Sequence, residues 1–116
     1  VLAQIRARTE ALAGHGFNSV LLNLYRDGAD GMSWHSDDEP ELGPAPLIAS
    51  VSLGATRRFL LRRRDAHPVR VGLDLADGSL LLMEPPLQRH WQHSVPKTRR
   101  ATGPRINLTW RRIRAR

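Results

Sequence analysis

Polar and apolar side chains alternate through Arg105-Ile106-Asn107-Leu108-Thr109-Trp110-Arg111, near the end of the 116-residue chain. Because successive strand residues point to opposite faces, this pattern predicts a strand with Arg105, Asn107 and Arg111 on one face. Two interpretations stay open. In an ordinary sheet the polar face lies in water. In a barrel that holds a small ligand, the polar face lines the cavity, and two arginines with an amide between them suit a dicarboxylate.

The rest of the chain indicates a mainly β protein with one N-terminal helix. Leu2, Ile5 and Leu12 follow helical spacing, which predicts a helix from Leu2 to Ala13. Many short strands at close spacing then favour a barrel or a two-sheet jelly roll. The predicted strands are Asn18 to Tyr25, Leu47 to Leu53, Arg58 to Leu61, Val69 to Leu73, Ser79 to Met83, Trp91 to Val95 and Arg105 to Arg111.

Composition bounds the class of protein. With 41% hydrophobic and 25% charged residues, the chain is typical of a single globular domain, taken here as residues 1–116. Its longest apolar runs fall far short of the roughly 20 residues that span a bilayer, so we expect a soluble protein without a membrane partner. The absence of cysteine excludes disulfides and thiolate zinc sites. We expect an intracellular protein, cytoplasmic in a bacterium or nuclear in a eukaryote, with no obligate protein partner.

Positive charge points to a polyanionic partner. Eighteen Lys and Arg against eleven Asp and Glu give a formal charge of +7, and most of the excess is arginine, whose planar fork suits phosphate. Each basic cluster alone could be a solvated surface. Together they favour nucleic acid. The clusters are Arg57-Arg58, Arg62-Arg63-Arg64, Lys97 to Arg100 and Arg111 to Arg116.

The segment His35-Ser36-Asp37 places two metal-ligand side chains on the same face of an extended chain. A third histidine would complete the two-histidine, one-carboxylate triangle of non-haem iron(II) oxygenases. A surface pair and a zinc hydrolase site are the alternatives. The longest irregular segment, Ser36 to Pro46, follows at once, and loops of that length are often functional. Candidates for the third histidine are His15, His67, His90 and His93.

Four ordered motifs resemble those of the AlkB family of iron(II) and 2-oxoglutarate dependent dioxygenases. They are Asn23-Leu24-Tyr25, His35-Ser36-Asp37, His93 and the stretch Arg105 to Arg111, and the resemblance runs from about Phe17 to Ile113. Three further segments look closest to the branch of AlkB homologue two, which repairs double-stranded DNA. These segments are Ile48 to Gly54, Gly78 to Met83 and His90 to Pro96.

The resemblance implies a double-stranded β-helix, or jelly roll, that uses Fe(II), 2-oxoglutarate and O2 to remove alkyl groups from bases such as 1-methyladenine and 3-methylcytosine in DNA. It implies His35, Asp37 and His93 as iron ligands and catalytic residues. It further implies Arg105, Tyr25 and Asn107 at the distal carboxylate of 2-oxoglutarate, with Arg111 and Asn23 near the end that chelates iron.

Four residues beside the metal motif are candidates for contact with the damaged base. Asp38 and Glu39 could accept hydrogen bonds from an exocyclic amino group, or form a solvated acidic loop. Trp34 and Met32 could stack on a base, or pack in the protein.

Three of the other histidines are not favoured as ligands. We expect His15 and His67 at the surface, and His90, three residues before His93 in the same strand region, on the opposite face. The AlkB resemblance also implies a nucleotide-recognition lid before the first barrel strand. Because only about sixteen residues precede Phe17, we expect this lid to be absent or truncated here. Two alternatives remain: the same chemistry on RNA or protein, and a non-catalytic basic nucleic-acid-binding module.

Overall fold

A computed structural model describes residues 1–65 and 70–114 of the chain. One long helix comes first, and short strands follow, interrupted by a 3₁₀ turn at Pro40–Leu42 and a second, short helix. The elements are α1 (Leu2–Ala13), β1 (Ser19–Tyr25), β2 (Met32–His35), β3 (Ile48–Gly54), β4 (Arg57–Arg63), β5 (Arg70–Leu75), β6 (Leu80–Met83), α2 (Pro85–His90), β7 (Trp91–Val95) and β8 (Arg105–Arg111).

The strands form two antiparallel sheets of four. Sheet A has the order β1-β8-β3-β6, and sheet B has the order β2-β7-β4-β5. Apolar side chains from both sheets meet in one core, to which sheet A contributes Ile48 and Met83 and sheet B contributes Phe59, Leu61 and Val95. Burial of each such side chain contributes about 1.5–3 kcal/mol. Two packed antiparallel sheets confirm the predicted jelly roll.

The helix α1 covers part of the outer face of sheet A, and the rest of that face carries exposed apolar side chains such as Leu22, Leu24 and Ile106. Leu108 and Trp110 of β8 point outward and form a second core with Phe17, against which Ile5 and Ala13 of α1 pack. The intervening residues of β8 point between the sheets. The helix α1 thus covers the apolar face of β8 at Leu108 and Trp110, and the polar face lines the interior.

Exposure along β8 decides between the two interpretations of its alternation. The Arg105 residue is 1% exposed, whereas its apolar neighbour Ile106 is 39% exposed. The polar face therefore lines the space between the sheets rather than lying in water.

Most element bounds agree with the sequence pattern. The helix α1 and strands β7 and β8 have the predicted limits, and the others differ by a few residues at their ends. Val69, the predicted start of a strand, lies outside the described residues. The pattern missed β2 and α2, since four and six residues are too few to show a period. Within the described part of the chain, no helix is long and apolar enough to cross a membrane.

Candidate active site

Three predicted ligands meet at one end of the space between the sheets. His35 ends β2 and pairs in register with His93 of β7. The two imidazole centroids are 4.1 Å apart. Asp37 lies just beyond the strand, and its Oδ2 comes within 3.6 Å of His93 Nε2. Each residue offers a ligand atom within 4.8 Å of the other two.

The environment prepares this triad for a cation. His35 Nδ1 lies 2.9 Å from the carbonyl oxygen of Ser33 and can donate to it, which leaves Nε2 free as a metal ligand. Burial lowers the pKa of His93 to about 3, so its contact with Asp37 is not an ion pair at neutral pH. Burial also raises the pKa of the Asp37 carboxyl. A neutral imidazole and a carboxylate that lacks a full charge partner fit a divalent metal.

The inner face of β8 carries a buried cation with unused donors. Arg105 Nη2 donates to Ser52 Oγ at 2.9 Å, and its guanidinium carbon is 4.9 Å from the centroid of the Tyr25 ring. Its Nε and Nη1 are buried without a hydrogen-bond partner among the described residues. Burial lowers the pKa of Arg105. A carboxylate ligand would satisfy both the charge and the free donors, and 2-oxoglutarate carries one at each end.

Most of the predicted 2-oxoglutarate residues surround the same cavity as the triad. Asn23, Tyr25, Arg105 and Asn107 line it. Asn107 is held in place, because Ser50 Oγ donates to its Oδ1 at 2.8 Å and its Nδ2 donates to Thr109 Oγ1 at 3.1 Å. The cavity is thus lined by the candidate metal ligands at one side and a guanidinium at another.

The remaining predicted arginine lies outside this lining. Arg111 Nη1 is 3.7 Å from Glu39 Oε1, and the positive charge of Arg111 acts on Asp37 to lower its pKa, against the larger effect of burial. Arg111 therefore lies on the triad side of the molecule.

The base-contact candidates fall into two groups. Asp38 and Glu39 are substantially exposed next to the triad, where Asp38 accepts a hydrogen bond from Arg64 Nη2 at 3.0 Å. Met32 packs against the inner core.

Trp34 lies elsewhere. Its ring is 4.3 Å from the guanidinium carbon of Arg62, and Arg62 follows Leu61, the strand partner of His93. Because neighbours on a strand face opposite sides, Trp34 lies on the outer face of sheet B and is not brought to the triad.

The other histidines are separate from this cluster. His15 is half-buried, with its ring centroid 5.2 Å from that of Phe17. His90 is exposed at the end of α2 rather than in a strand, because a helical turn precedes β7. His67 lies outside the described residues.

Sequence patterns missed two residues that support the site. Arg57, counted above within a basic cluster, is only 3% exposed and faces inward. Gln88 is 2% exposed in α2, which was not predicted. Inward alternation with Phe59 and Leu61 could have indicated Arg57. Nothing in the sequence indicated Gln88, because its contact depends on how the Asp37 loop folds back.

Comparison with known proteins agrees with this geometry. A family model described as the 2OG-Fe(II) oxygenase superfamily matches residues 1–111. The chain belongs to the 2OG-Fe(II) oxygenase superfamily. This superfamily is defined by iron(II) and 2-oxoglutarate, the two ligands that the triad and Arg105 fit.

Within the superfamily, the chain is an AlkB-type member. It is 48% identical over 120 residues to the mouse protein named DNA oxidative demethylase ALKBH2, covering 97% of this chain and 50% of that protein. It is 46% identical over 121 residues to human alpha-ketoglutarate-dependent dioxygenase alkB homolog 3, covering 97% and 42%. The chain thus spans half or less of the length of these relatives.

A solved structure titled "The structure of OsALKBH1" shares the fold. It superposes with a TM-score of 0.64 at 22% identity and covers 95% of this chain and 60% of that one. At this identity the likeness concerns the fold alone.

Proposed function

We propose that this chain is the catalytic core of a dioxygenase that oxidatively removes alkyl groups from N-alkylated bases in DNA, such as 1-methyladenine and 3-methylcytosine. The observation that carries the proposal is the pairing of the triad His35, Asp37 and His93 with the buried guanidinium of Arg105, two of whose nitrogens have no hydrogen-bond partner among the described residues. The relative named DNA oxidative demethylase ALKBH2 supports DNA as the substrate. The net charge of +7 supports a polyanionic substrate, and a role in DNA repair would require an intracellular protein.

Separate groups of residues would bind iron(II) and 2-oxoglutarate. His35, Asp37 and His93 would hold iron(II), and Arg105, Tyr25 and Asn107 would hold the distal carboxylate of 2-oxoglutarate, with Asn23 and Arg111 near its other end. Bound iron supplies the activation of O2 that is coupled to decarboxylation of 2-oxoglutarate to succinate and CO2. One oxygen atom of O2 would be incorporated into succinate. The other would be inserted into a C–H bond of the N-alkyl group, and the resulting hydroxyalkyl group would break its C–N bond, leaving as an aldehyde with release of a proton and restoring the base.

Two exposed carboxylates beside the triad are candidates for contact with the base. Asp38 and Glu39 lie beside the triad, and they could accept hydrogen bonds from the exocyclic amino group of adenine or cytosine. A base in a duplex would have to leave the stack to reach this position. Alkylation at the pairing edge makes that easier, since the base pair is already weakened.

Formaldehyde release from methylated DNA tests the proposal. We expect the purified protein with Fe(II), ascorbate and 2-oxoglutarate to release formaldehyde and succinate in equal amounts from DNA that contains 1-methyladenine. His93→Ala should abolish both products. The exposed His90, at the end of α2, provides the matched control, and His90→Ala should retain activity.

Other outcomes would redirect the proposal. Formaldehyde from methylated RNA but not from methylated DNA would keep the chemistry and change the substrate. Salt-sensitive DNA binding with no response to Fe(II) or 2-oxoglutarate would contradict the proposal and favour a non-catalytic binding module.

A further inference from the structure

Two hydrogen bonds tie the segment that carries Asp37 to the segment that leads into His93. The Asp37 N–H donates to Gln88 Oε1 at 2.8 Å. Ser36 Oγ donates to the Trp91 carbonyl oxygen at 2.6 Å. Asp37 lies beyond the end of β2, outside the strand ladder that aligns the two histidines. Its position therefore depends on contacts of this kind rather than on the sheet.

Gln88 is held in one orientation. Gln88 is 2% exposed, and its side-chain Nε2 lies 3.7 Å from Met83 Sδ. Its main-chain carbonyl oxygen accepts a hydrogen bond from Arg64 Nη2 at 3.1 Å. Because its partner on Asp37 is an N–H, the side-chain atom facing Asp37 must be the acceptor oxygen. Loss of that acceptor would leave a main-chain donor unsatisfied in a mostly buried place, which is unfavourable.

We propose that Gln88 is a positioning residue that holds Asp37 at the triad before any metal binds. This inference rests on the proposed iron site and deepens it. With the Gln88 contact, the third ligand is already beside His35 and His93. Without it, metal binding would also have to order the loop, and the affinity would fall by that cost.

Metal affinity separates positioning from general structural support. Gln88→Leu removes the acceptor and puts an apolar side chain of similar size in its place. Gln92→Leu is the matched control, because Gln92 accepts from Arg62 Nε at 3.0 Å on the outer face of sheet B, away from Asp37. Titration with Co(II), followed by its visible absorption, should give a Kd about tenfold or more weaker for Gln88→Leu. The control should bind like the wild type.

Thermal unfolding of the metal-free proteins completes this experiment. If Gln88 only stabilises the fold, the melting temperature of Gln88→Leu will fall while the Kd for Co(II) stays at the control value, and the proposal is overturned. If the wild type itself binds no Co(II), the result contradicts both the proposed iron site and this inference. The two failures are therefore distinguishable.

Amide hydrogen exchange tests the same contact in the wild type, whether or not the variant folds. We expect the Asp37 N–H to be protected from exchange in the metal-free protein, because it is bonded to a buried acceptor. An Asp37 amide that exchanges as fast as an unstructured one would overturn the proposal.

Discussion

Two buried arginines approach the same tyrosine ring, yet their surroundings differ. Arg57 and Arg105 are 3% and 1% exposed, and their guanidinium carbons are 5.5 and 4.9 Å from the centroid of the Tyr25 ring. Arg57 donates to three main-chain carbonyls, those of Asp27, Asp30 and Pro96, at 2.8–3.2 Å. Arg105 donates to Ser52 and leaves two nitrogens unused among the described residues.

The difference shows that burial of a cation does not by itself identify a ligand site. Arg57 joins the loop that contains Asp27 and Asp30 to the loop at Pro96, and both of its Nη atoms donate to main-chain carbonyls of these loops. Arg105 has charge and donors left over, which is costly unless a ligand supplies the missing acceptors. Removal of the Arg57 guanidinium should therefore lower the stability of the fold. Removal of the Arg105 guanidinium should lower the affinity for 2-oxoglutarate.

The largest effect should follow from Arg105→Met. Because charge-assisted hydrogen bonds to a carboxylate are lost, we expect the affinity for 2-oxoglutarate to fall at least about a hundredfold. The unfolding free energy of the empty protein should stay the same or rise, since an unpaired buried charge is replaced by an apolar side chain. Calorimetric titration of the Co(II)-loaded protein measures the first quantity, and urea unfolding measures the second. Unchanged affinity for 2-oxoglutarate would remove Arg105 from the site.

Arg57→Met should show the opposite pattern. Three partly buried main-chain carbonyls lose their donor, so we expect the free energy of unfolding to fall by about 3 kcal/mol, with less than about a tenfold change in 2-oxoglutarate affinity. Urea unfolding of Arg58→Met provides the control, since Arg58 is exposed and pairs with Asp74 on the surface. That control should lose less than about 1 kcal/mol. Equal stability of the two variants would contradict the assigned structural role.

Much of the fold could be predicted from the sequence, because the relevant patterns lie within short stretches of the chain. Alternation in β8 and helical spacing in α1 are properties of neighbouring residues, and both elements have their predicted limits. The short elements β2 and α2 carry no such period, so only the folded chain reveals them.

The candidate site could be predicted for side chains with distinctive chemistry, but not for those that act through the main chain. His35 and Asp37 are close in sequence, and the AlkB resemblance selected His93 from four histidines. Arg57 looked like one more surface charge, because its three carbonyl partners come from two distant loops. Gln88 has a partner 51 residues away, and no spacing in the sequence encodes that contact.

Tyr25→Phe should sharpen the comparison, because the ring lies beside both arginines. Phenylalanine keeps the aromatic face that each guanidinium approaches and removes only the hydroxyl. If the hydroxyl donates to the distal carboxylate, we expect an approximately tenfold loss of 2-oxoglutarate affinity. The unfolding free energy should change by less than for Arg57→Met. A large loss of stability without a loss of affinity would instead place the hydroxyl with the Arg57 contacts.

The smallest effect should come from Asp30→Asn, which tests the loop that supplies a carbonyl to Arg57. The Asp30 carboxylate accepts from Arg26 Nε at 2.9 Å and from the Arg26 main-chain N–H at 2.9 Å. These bonds to Arg26 lower the pKa of Asp30 below its ordinary value of 3.8. A depressed carboxyl pKa contributes stability that is fully present well above pH 3.8 and is lost as the pH falls towards the lowered pKa. The variant should therefore melt slightly below the wild type at pH 7, and this difference should shrink at pH 3 and at high salt, because the pair is exposed. A difference in melting temperature that persists unchanged at pH 3 would mean that the loop near Arg57 is held by something other than this ion pair.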